Sequence, residues 1–545
     1  MSIIDSIASN RKYAYAFLIF LSAFFFIGIG HIHLFDWDEI NFAESAREMI
    51  ESGDYLRVQI NYLPFWEKPP FFFWLQVASM KVFGIGDFAA RLPNALFGLI
   101  YLLTFYTIGK RHFSAKFGLI WALVFFASLL PHLYFKSGII DPVFNFFIFL
   151  SIYFMIRVLA KDGESIWKLA LFAGIFSGLS VITKGPVGFL LLGLTFTVYV
   201  IVKRFRVFPS LLNILVFLAG MFLIIGCWIS LEVYQNGFEI ISQFIEYQIE
   251  LFRTPVAGHE QPFYYHFIVV GLGCFPMSIF ALPYLFRKRE ATALDFKTWM
   301  LVLFWVVLIL FSITTTKIIH YSSMTYAPLS FIAALVIYRA FKGEFVIKKY
   351  ISLIFLVIGV IVSVIMIVLP LLLSEKSWLL SKIDDPFVIG SIESSQAWTA
   401  IDSLGGFVFL IFLIASFVFL RKGKLGNMIL MSAAGTGLTL LIILYTVMPK
   451  VDSMTQGPVI NFYEEIADED CYIETYYKSY APYFYARTTS GSKQSHNRAW
   501  LVEGEIDKPV YMITQISNLG LESYPEIKLI KVEGGFRFYR RDPIK

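Results

Sequence analysis

The sequence predicts an all-α polytopic membrane bundle of about thirteen transmembrane helices with a small extracytoplasmic α/β domain at its C-terminal end. Three observations carry this. Of 545 residues, 57% are hydrophobic and only 16% charged, with a mean hydropathy of +0.68. That is too apolar for a soluble domain. Uncharged stretches near the ~18–20 residues that cross a bilayer recur along the chain. Basic residues collect in alternate connectors between them, as the positive-inside rule requires of cytoplasmic loops.

The predicted spans are 14–30, 92–109, 118–135, 139–156, 169–183, 185–202, 207–231, 267–286, 298–316, 321–338, 350–374, 403–420 and 425–449. Two are less clean: 139–156 carries Asp141 at its start, and 169–183 is short and lies between Lys168 and Lys184. Both put a polar residue at the same membrane face. Basic connectors such as Lys110-Arg111, Lys203-Arg204 and Arg421-Lys422 face the cytoplasm, together with Arg11 and Lys12 before the first span. An odd number of spans then places the tail outside, in a periplasmic or other extracytoplasmic space. No small-residue cleavage site follows the first span, which is read as a retained helix. Cys227 and Cys274 fall within spans and Cys471 in the tail, without disulfide or metal-type spacing. The net charge of +5 is accounted for by the cytoplasmic loops and gives no argument for nucleic acid.

Two outward loops, 31–91 and 232–266, read as helices lying on the membrane surface. Phe42, Ala43, Ala46, Met49 and Ile50 recur at helical spacing, with Glu44, Arg47, Glu48 and Glu51 on the other side. Phe238, Ile241, Ile245, Ile249 and Phe252 make a second such stripe. Beyond about residue 451 the hydrophobic runs shorten, and 471–475, 510–514, 527–532 and 536–539 read as strands, with 480–487 helical. The expected division is therefore 1–450 for the membrane domain and 451–545 for the α/β domain.

Ionisable residues beside many apolar spans mark a functional site. Asp38 and Glu39 open a helix directly after a span; Asp36 with Glu39 also has capping-box spacing, which leaves a purely structural reading open. In Glu67-Lys68-Pro69-Pro70 the prolines restrict the backbone, so Lys68 is expected to stand out from the chain as a clamp for a lipid phosphate. Asp141-Pro142 is at once an ordinary helix start and a candidate cavity carboxylate. Asp38, Glu39 and Asp141 are thus the candidate catalytic acids. Lys136, Lys184, Arg253 and Lys317 are cations on the face the positive-inside rule depletes; with Lys68 they suggest an anion-binding rim. His320-Tyr321 follows Lys317 and offers hydrogen bonds to a phosphate or sugar. His31, His33, His259 and His266 with Glu67 form at most a weak metal pattern, so no cofactor is required, although a divalent cation is compatible.

These residues carry a resemblance. Asp38-Glu39 with Ala43 to Met49 and Gly53-Asp54-Tyr55, Glu67-Lys68-Pro69-Pro70 with Trp74, Ala90-Arg91-Leu92-Pro93, Asp141-Pro142, Thr183-Lys184-Gly185-Pro186, Gln261-Pro262-Phe263-Tyr264-Tyr265 and Lys317 with His320-Tyr321 occur in that order. The set is similar to GT-C integral-membrane glycosyltransferases, in particular the bacterial aminoarabinose transferases for lipid A and their protein O-mannosyltransferase relatives (glycosyltransferase families 39/83).

The resemblance implies transfer of a sugar from a polyprenyl-phosphate carrier to an acceptor, lipid A or a related envelope molecule, on the outer face of the cytoplasmic membrane; direct attack opposite the leaving phosphate then predicts inversion. It implies that Asp38 is the acid nearest the acceptor, that Lys68 and Arg253 hold the carrier phosphate with Lys317 and Tyr321, and that Glu67, Asp141, Lys184 and His320 line the cavity. The His expected just before Arg253 is absent, with Glu250 nearby, which weakens a Glu–His metal site. Transfer to protein hydroxyls, a surface-polysaccharide polymerase or ligase, and a lipid flippase or transporter remain open at this point. Against the transporter, no internal repeat is visible and the polar residues gather at one face.

Overall fold

A computed structural model describes residues 3–163, 165–253, 261–286, 293–489, 497–518 and 520–543. Among these, nine helices are long and apolar enough to cross a membrane, from Asp87–His112 to Leu425–Thr446. The other four predicted spans are shorter or broken helices. Arg11–Phe26 and Val187–Val202 are single short helices. The 118–135 stretch divides into Ala115–Phe126 and Leu129–Tyr134. The 267–286 stretch divides into Tyr265–Gly273 and Ser278–Leu285, with Pro276, which has no N–H to donate, in the break.

Small residues let the helices approach closely. A Cβ on Gly109 would stand 2.5 Å from the Gly118 Cα, and one on Gly174 would stand 2.0 Å from the Phe217 carbonyl oxygen. Backbones packed this tightly gain dispersion contacts that lipid tails do not replace. Aromatic rings fill the interior: Phe105 stacks on Trp121 with centroids 4.3 Å apart, and the Trp121 indole N–H donates to Ser330 Oγ at 3.0 Å. A buried indole is thereby satisfied.

Between the first two long helical segments lie the Asp38–Ser52 helix and a short hairpin of β1 (Gln59–Ile60) and β2 (Leu63–Pro64). The tail begins with the helices Met448–Thr455 and Gly457–Glu465. It then forms a sheet of β3 (Tyr472–Thr475), β4 (Val510–Gln515), β5 (Ile527–Glu533) and β6 (Phe536–Arg541), ordered β3-β4-β6-β5. Strands β3 and β4 are parallel, and the remaining pairs antiparallel. Gly534 and Gly535, with φ of +62° and +78°, make the two-residue turn of the β5–β6 hairpin, where positive φ matches the strand twist.

The Asp38–Ser52 helix departs from the sequence expectation. Its polar side does not face water or headgroups: Glu44, Arg47 and Glu48 are buried. Arg47 donates to Glu44 at 2.7 and 2.8 Å, to Glu51 at 2.5 Å, and to the Thr488 carbonyl of the tail at 2.8 Å. Helical periodicity specifies two faces but not what covers them. Here the tail covers the charged face, and the charges survive burial by bonding one another. Further bonds tie the tail to the preceding loop: the Tyr485 hydroxyl accepts from the Leu34 N–H at 2.7 Å and donates to Asp87 at 2.6 Å.

The second amphipathic helix forms at Glu239–Arg253, with Phe238, Ile245 and Ile249 exposed and Ile241 buried. The side chains of Glu250 and Arg253, and all of His259, lie outside the described residues.

Candidate active site

Asp38 is the first residue of its helix, and the anticipated capping box does not form. The cap position is Trp37, without a side-chain cap bond. Asp36 turns away instead and accepts from Ser479 Oγ at 2.5 Å and the Tyr480 N–H at 3.4 Å. Burial raises its carboxyl to about 6 against those two bonds.

Glu39, predicted as a catalytic acid, is committed elsewhere. It accepts from Arg91 at 2.7 and 3.0 Å, from the Phe35 N–H at 2.9 Å and from the Gly138 N–H. Burial would raise its proton affinity, but the Arg91 charge and these bonds prevail and hold it below the usual carboxylate range. Arg91 also donates to the carbonyls of Ile29, Ile32 and His33 at 2.8–2.9 Å. The pair therefore clasps the 29–39 turn and aims the next carboxylate. Arg91 had entered the sequence reading only as part of a motif; its signal was a lone charge at the mouth of an apolar span.

Asp38 stays outside that clasp, its Oδ2 3.6 Å from His320 Nε2. His320 and Tyr321 lie on the 3-10 turn Ile319–Thr325. Asn145 ties that turn to the Asp141–Leu159 helix by donating to Ser323 Oγ at 2.8 Å. At the head of this helix, Asp141 accepts from Lys184 Nζ at 2.6 Å, while its other oxygen is buried without a hydrogen-bond partner. Asn94 fixes the approach to Asp141 by donating to the Ser137 and Ile139 carbonyls, each at 2.6 Å. Asp141 makes no cap bond of its own, and its carboxylate is held by Lys184 instead. Lys184, ending the Ile166–Lys184 helix, lies 5.6 Å from the centre of the Tyr321 ring.

Glu67 and Lys68 pair at 2.5 Å. The ammonium expected to stand alone is thus held by its neighbour. Charges of Asp141, Lys184, Asp38 and Lys68 all act on His320, and those of Asp141, Asp38 and Glu67 on Tyr321. Seven sequence-predicted residues, Asp38, Glu67, Lys68, Asp141, Lys184, His320 and Tyr321, are thereby gathered from distant parts of the chain into one electrostatic neighbourhood.

The cationic rim does not close as a single ring. Lys317 folds back to the Thr314 carbonyl at 2.6 Å and acts, with His320, on His266. Lys136 donates to the Ile27 carbonyl at 2.8 Å and lines a separate, largely apolar cavity of about 370 Å³ with Glu39 and Arg91.

The histidines considered as ligands are dispersed. His33 bonds Asp452 at 2.8 Å, which outweighs burial and raises its proton affinity. His31 packs on Tyr445 with ring centres 4.5 Å apart. Among the described residues no group of three or more His, Cys, Asp or Glu side chains is arranged to hold a metal ion.

An apolar groove of about 550 Å³ runs between the Val187–Val202 and Phe296–Ile313 helices, lined by Leu194, Val198, Leu301, Trp305, Ile309 and Ile313, and Phe311 of the second helix packs on Tyr321 with ring centres 5.5 Å apart. Past Ile313 the chain reaches Lys317, His320 and Tyr321. The helix that lines the apolar groove therefore leads into the turn that carries the charged cluster.

Comparison with known proteins agrees with this layout. Residues 67–230 match the family model of dolichyl-phosphate-mannose-protein mannosyltransferase. An uncharacterized protein of Aquifex aeolicus is 29% identical over 350 residues, 63% of this chain and 75% of its own length. The undecaprenyl phosphate-alpha-4-amino-4-deoxy-L-arabinose arabinosyl transferase of Wigglesworthia glossinidia brevipalpis is 25% identical over 331 residues, 59% of this chain and 58% of its own length. A second Aquifex protein is matched over 61% of its length. The chain therefore spans about three fifths of most of these relatives.

The crystal structure of ArnT from Cupriavidus metallidurans bound to undecaprenyl phosphate superposes with a TM-score of 0.77 at 18% identity, covering 97% of this chain and 98% of that one. The same enzyme in the apo state gives 0.75 at 17% identity. Taken with the ordered motifs, these matches mean that this multi-pass membrane protein has the fold of a GT-C integral-membrane glycosyltransferase and resembles the aminoarabinose transferases and protein O-mannosyltransferases within that class.

Proposed function

We propose that the protein transfers a sugar from a polyprenyl-phosphate-linked donor to lipid A or a related cell-envelope acceptor at the outer face of the cytoplasmic membrane. In this reading residues 1–450 carry the transfer. The N-terminus is cytoplasmic, and residues 451–545 sit over the outer mouth of the site. The observation that carries the proposal is the meeting of the Asp38–His320 and Asp141–Lys184 pairs with Lys68, at the turn into which a helix of the apolar groove leads. The groove suits an isoprenoid chain and the cations suit its phosphate. The names of the relatives support the same donor class.

A sugar on a lipid phosphate has a good leaving group. Binding the charge that develops on the departing phosphate is then the main task, and preorganised cations perform it well where water is excluded. Lys68, with Arg253, Lys317 and Tyr321, is assigned to that phosphate. Lys68 exchanges its bond with Glu67 for one with the phosphate, and Glu67 remains beside it to hold its position. Asp38 lies on the acceptor side. For a hydroxyl acceptor it takes the proton as general base; for a phosphate acceptor, already anionic, it orients the nucleophile. Asp141 and Lys184 shape the sugar pocket, with His320 between the acidic and basic groups. Attack opposite the leaving phosphate gives inversion. Glu39 acts through Arg91 as a positioning residue.

The family match at 67–230 favours a second acceptor, a protein hydroxyl. Both readings are tested by incubating purified protein in detergent with radiolabelled sugar on undecaprenyl phosphate, and with lipid A or a Ser/Thr-containing peptide. Labelled lipid A is the expected product. A labelled peptide would move the assignment to the second reading, and an unconsumed donor would refute both.

A further inference from the structure

The tail holds a cavity of about 1060 Å³ that the transfer reaction as proposed does not use. It is bounded by β3, the Ala481–Tyr485 helix and the start of the Arg498–Glu503 helix. Tyr476, Tyr480 and Tyr483 supply rings to its wall, and Lys478 and Arg498 supply cations. Lys478 is exposed, its Nζ 4.1 Å from the centre of the Trp37 ring. The Arg498 guanidinium lies 5.1 Å from the Tyr476 ring and bonds Glu474 at 2.6 Å.

The cavity is bolted to the loop that presents Asp38. Ser479 and Tyr480 on its wall bond Asp36, and the Tyr480 ring packs edge-on against Trp37 with centres 5.0 Å apart. Trp37 immediately precedes Asp38. The Glu67 charge also acts on Tyr480. A molecule lodged in the cavity therefore lies against residues that hold Asp36 and Trp37, the two that precede Asp38.

Resting on the function proposed above, we propose that this tyrosine-lined cavity binds the phosphorylated saccharide headgroup of the acceptor and presents it to Asp38. Tyrosine rings offer flat apolar faces to the C–H faces of pyranose rings, and their hydroxyls reach sugar oxygens. Lys478, and Arg498 on exchanging its bond with Glu474, another residue of the wall, supply the countercharge for a phosphate. The volume exceeds what a single sugar needs and matches a disaccharide with its phosphate.

The test uses the full-length protein in detergent. Acceptor and donor KM are measured for wild type, for Lys478→Ser and for Arg498→Gln, both at exposed positions where folding is not at stake. A water-soluble, deacylated, phosphorylated hexosamine disaccharide serves as probe inhibitor. Acceptor KM is expected to rise about tenfold in each variant, as loss of one charged contact predicts, with donor KM within about twofold of wild type. The disaccharide is expected to compete with the acceptor and not with the donor. Unchanged acceptor KM in both variants, no inhibition by the disaccharide, or competition against the donor would each overturn the assignment. Should wild type consume no donor, the transferase reading fails by itself, and calorimetric binding of the disaccharide to wild type and variants decides the cavity's role.

Discussion

His320 Nε2 faces Asp38 Oδ2 across 3.6 Å, joining a turn late in the membrane region to the first residue of a helix near its beginning. In the proposed reaction Asp38 takes the proton of a hydroxyl acceptor, with the imidazole beside it. Asp38→Asn is therefore expected to lower kcat by about 10²–10⁴ with a hydroxyl acceptor and much less with a phosphate acceptor. Equal, negligible losses with both would remove Asp38 from the reaction.

Lys68→Ala is expected to abolish transfer from undecaprenyl-phosphate sugar while the protein accumulates in the membrane as wild type does. Glu67→Gln should retain more activity than Lys68→Ala, because it removes the partner that Lys68 gives up and not the cation itself. Donor turnover in detergent measures both, and wild-type turnover in Lys68→Ala would exclude the phosphate-clamp role.

The Glu39–Arg91 pair is almost wholly buried. Arg91→Ala leaves the Glu39 charge uncompensated and frees three backbone carbonyls, so a loss of about 3–5 kcal/mol is expected. Glu39→Gln together with Arg91→Met should recover part of it. Thermal unfolding of the detergent-solubilised variants is the measurement, and full stability in Arg91→Ala would contradict the clasp.

Burial and the neighbouring charge of Glu44 push the Glu48 carboxyl up to about 9. At neutral pH the folded protein holds a proton here that the unfolded chain has released. Stability should therefore fall as pH rises from the ordinary carboxylate range toward about 9. Glu48→Gln, which mimics the protonated acid, should flatten that slope. A melting temperature with the same pH dependence in variant and wild type would refute the protonated state of Glu48.

The membrane part was legible because its signals are local. A run of apolar side chains must be helical to satisfy its own backbone in lipid, and the thirteen predicted stretches all fall on helices or helix pairs. Breaks were harder to read: the gap after Phe126 carries no proline, whereas Pro276 marks the other. The four strands of the tail fell close to their expected places because short β-rich runs bounded by polar turns also signal locally.

The chemical types at the site were equally readable: two lysines and three carboxylates beside apolar spans declare themselves by their cost. Their partners were not. Pairing Asp38 with Glu39 by adjacency suggested two acids with one role, yet successive helical positions point about 100° apart, and packing sent one to Arg91 and the other to His320. Sequence alone determined the helices, the charge layout and the kinds of groups available, since each depends on neighbours along the chain. Only the tertiary structure decided that Lys136 lines a cavity with Glu39 and Arg91, that the tail buries the charged side of the Asp38–Ser52 helix, and that the wall of a tyrosine-lined cavity bonds Asp36 and packs on Trp37. Those outcomes depend on contacts between residues up to several hundred positions apart, which no periodicity encodes.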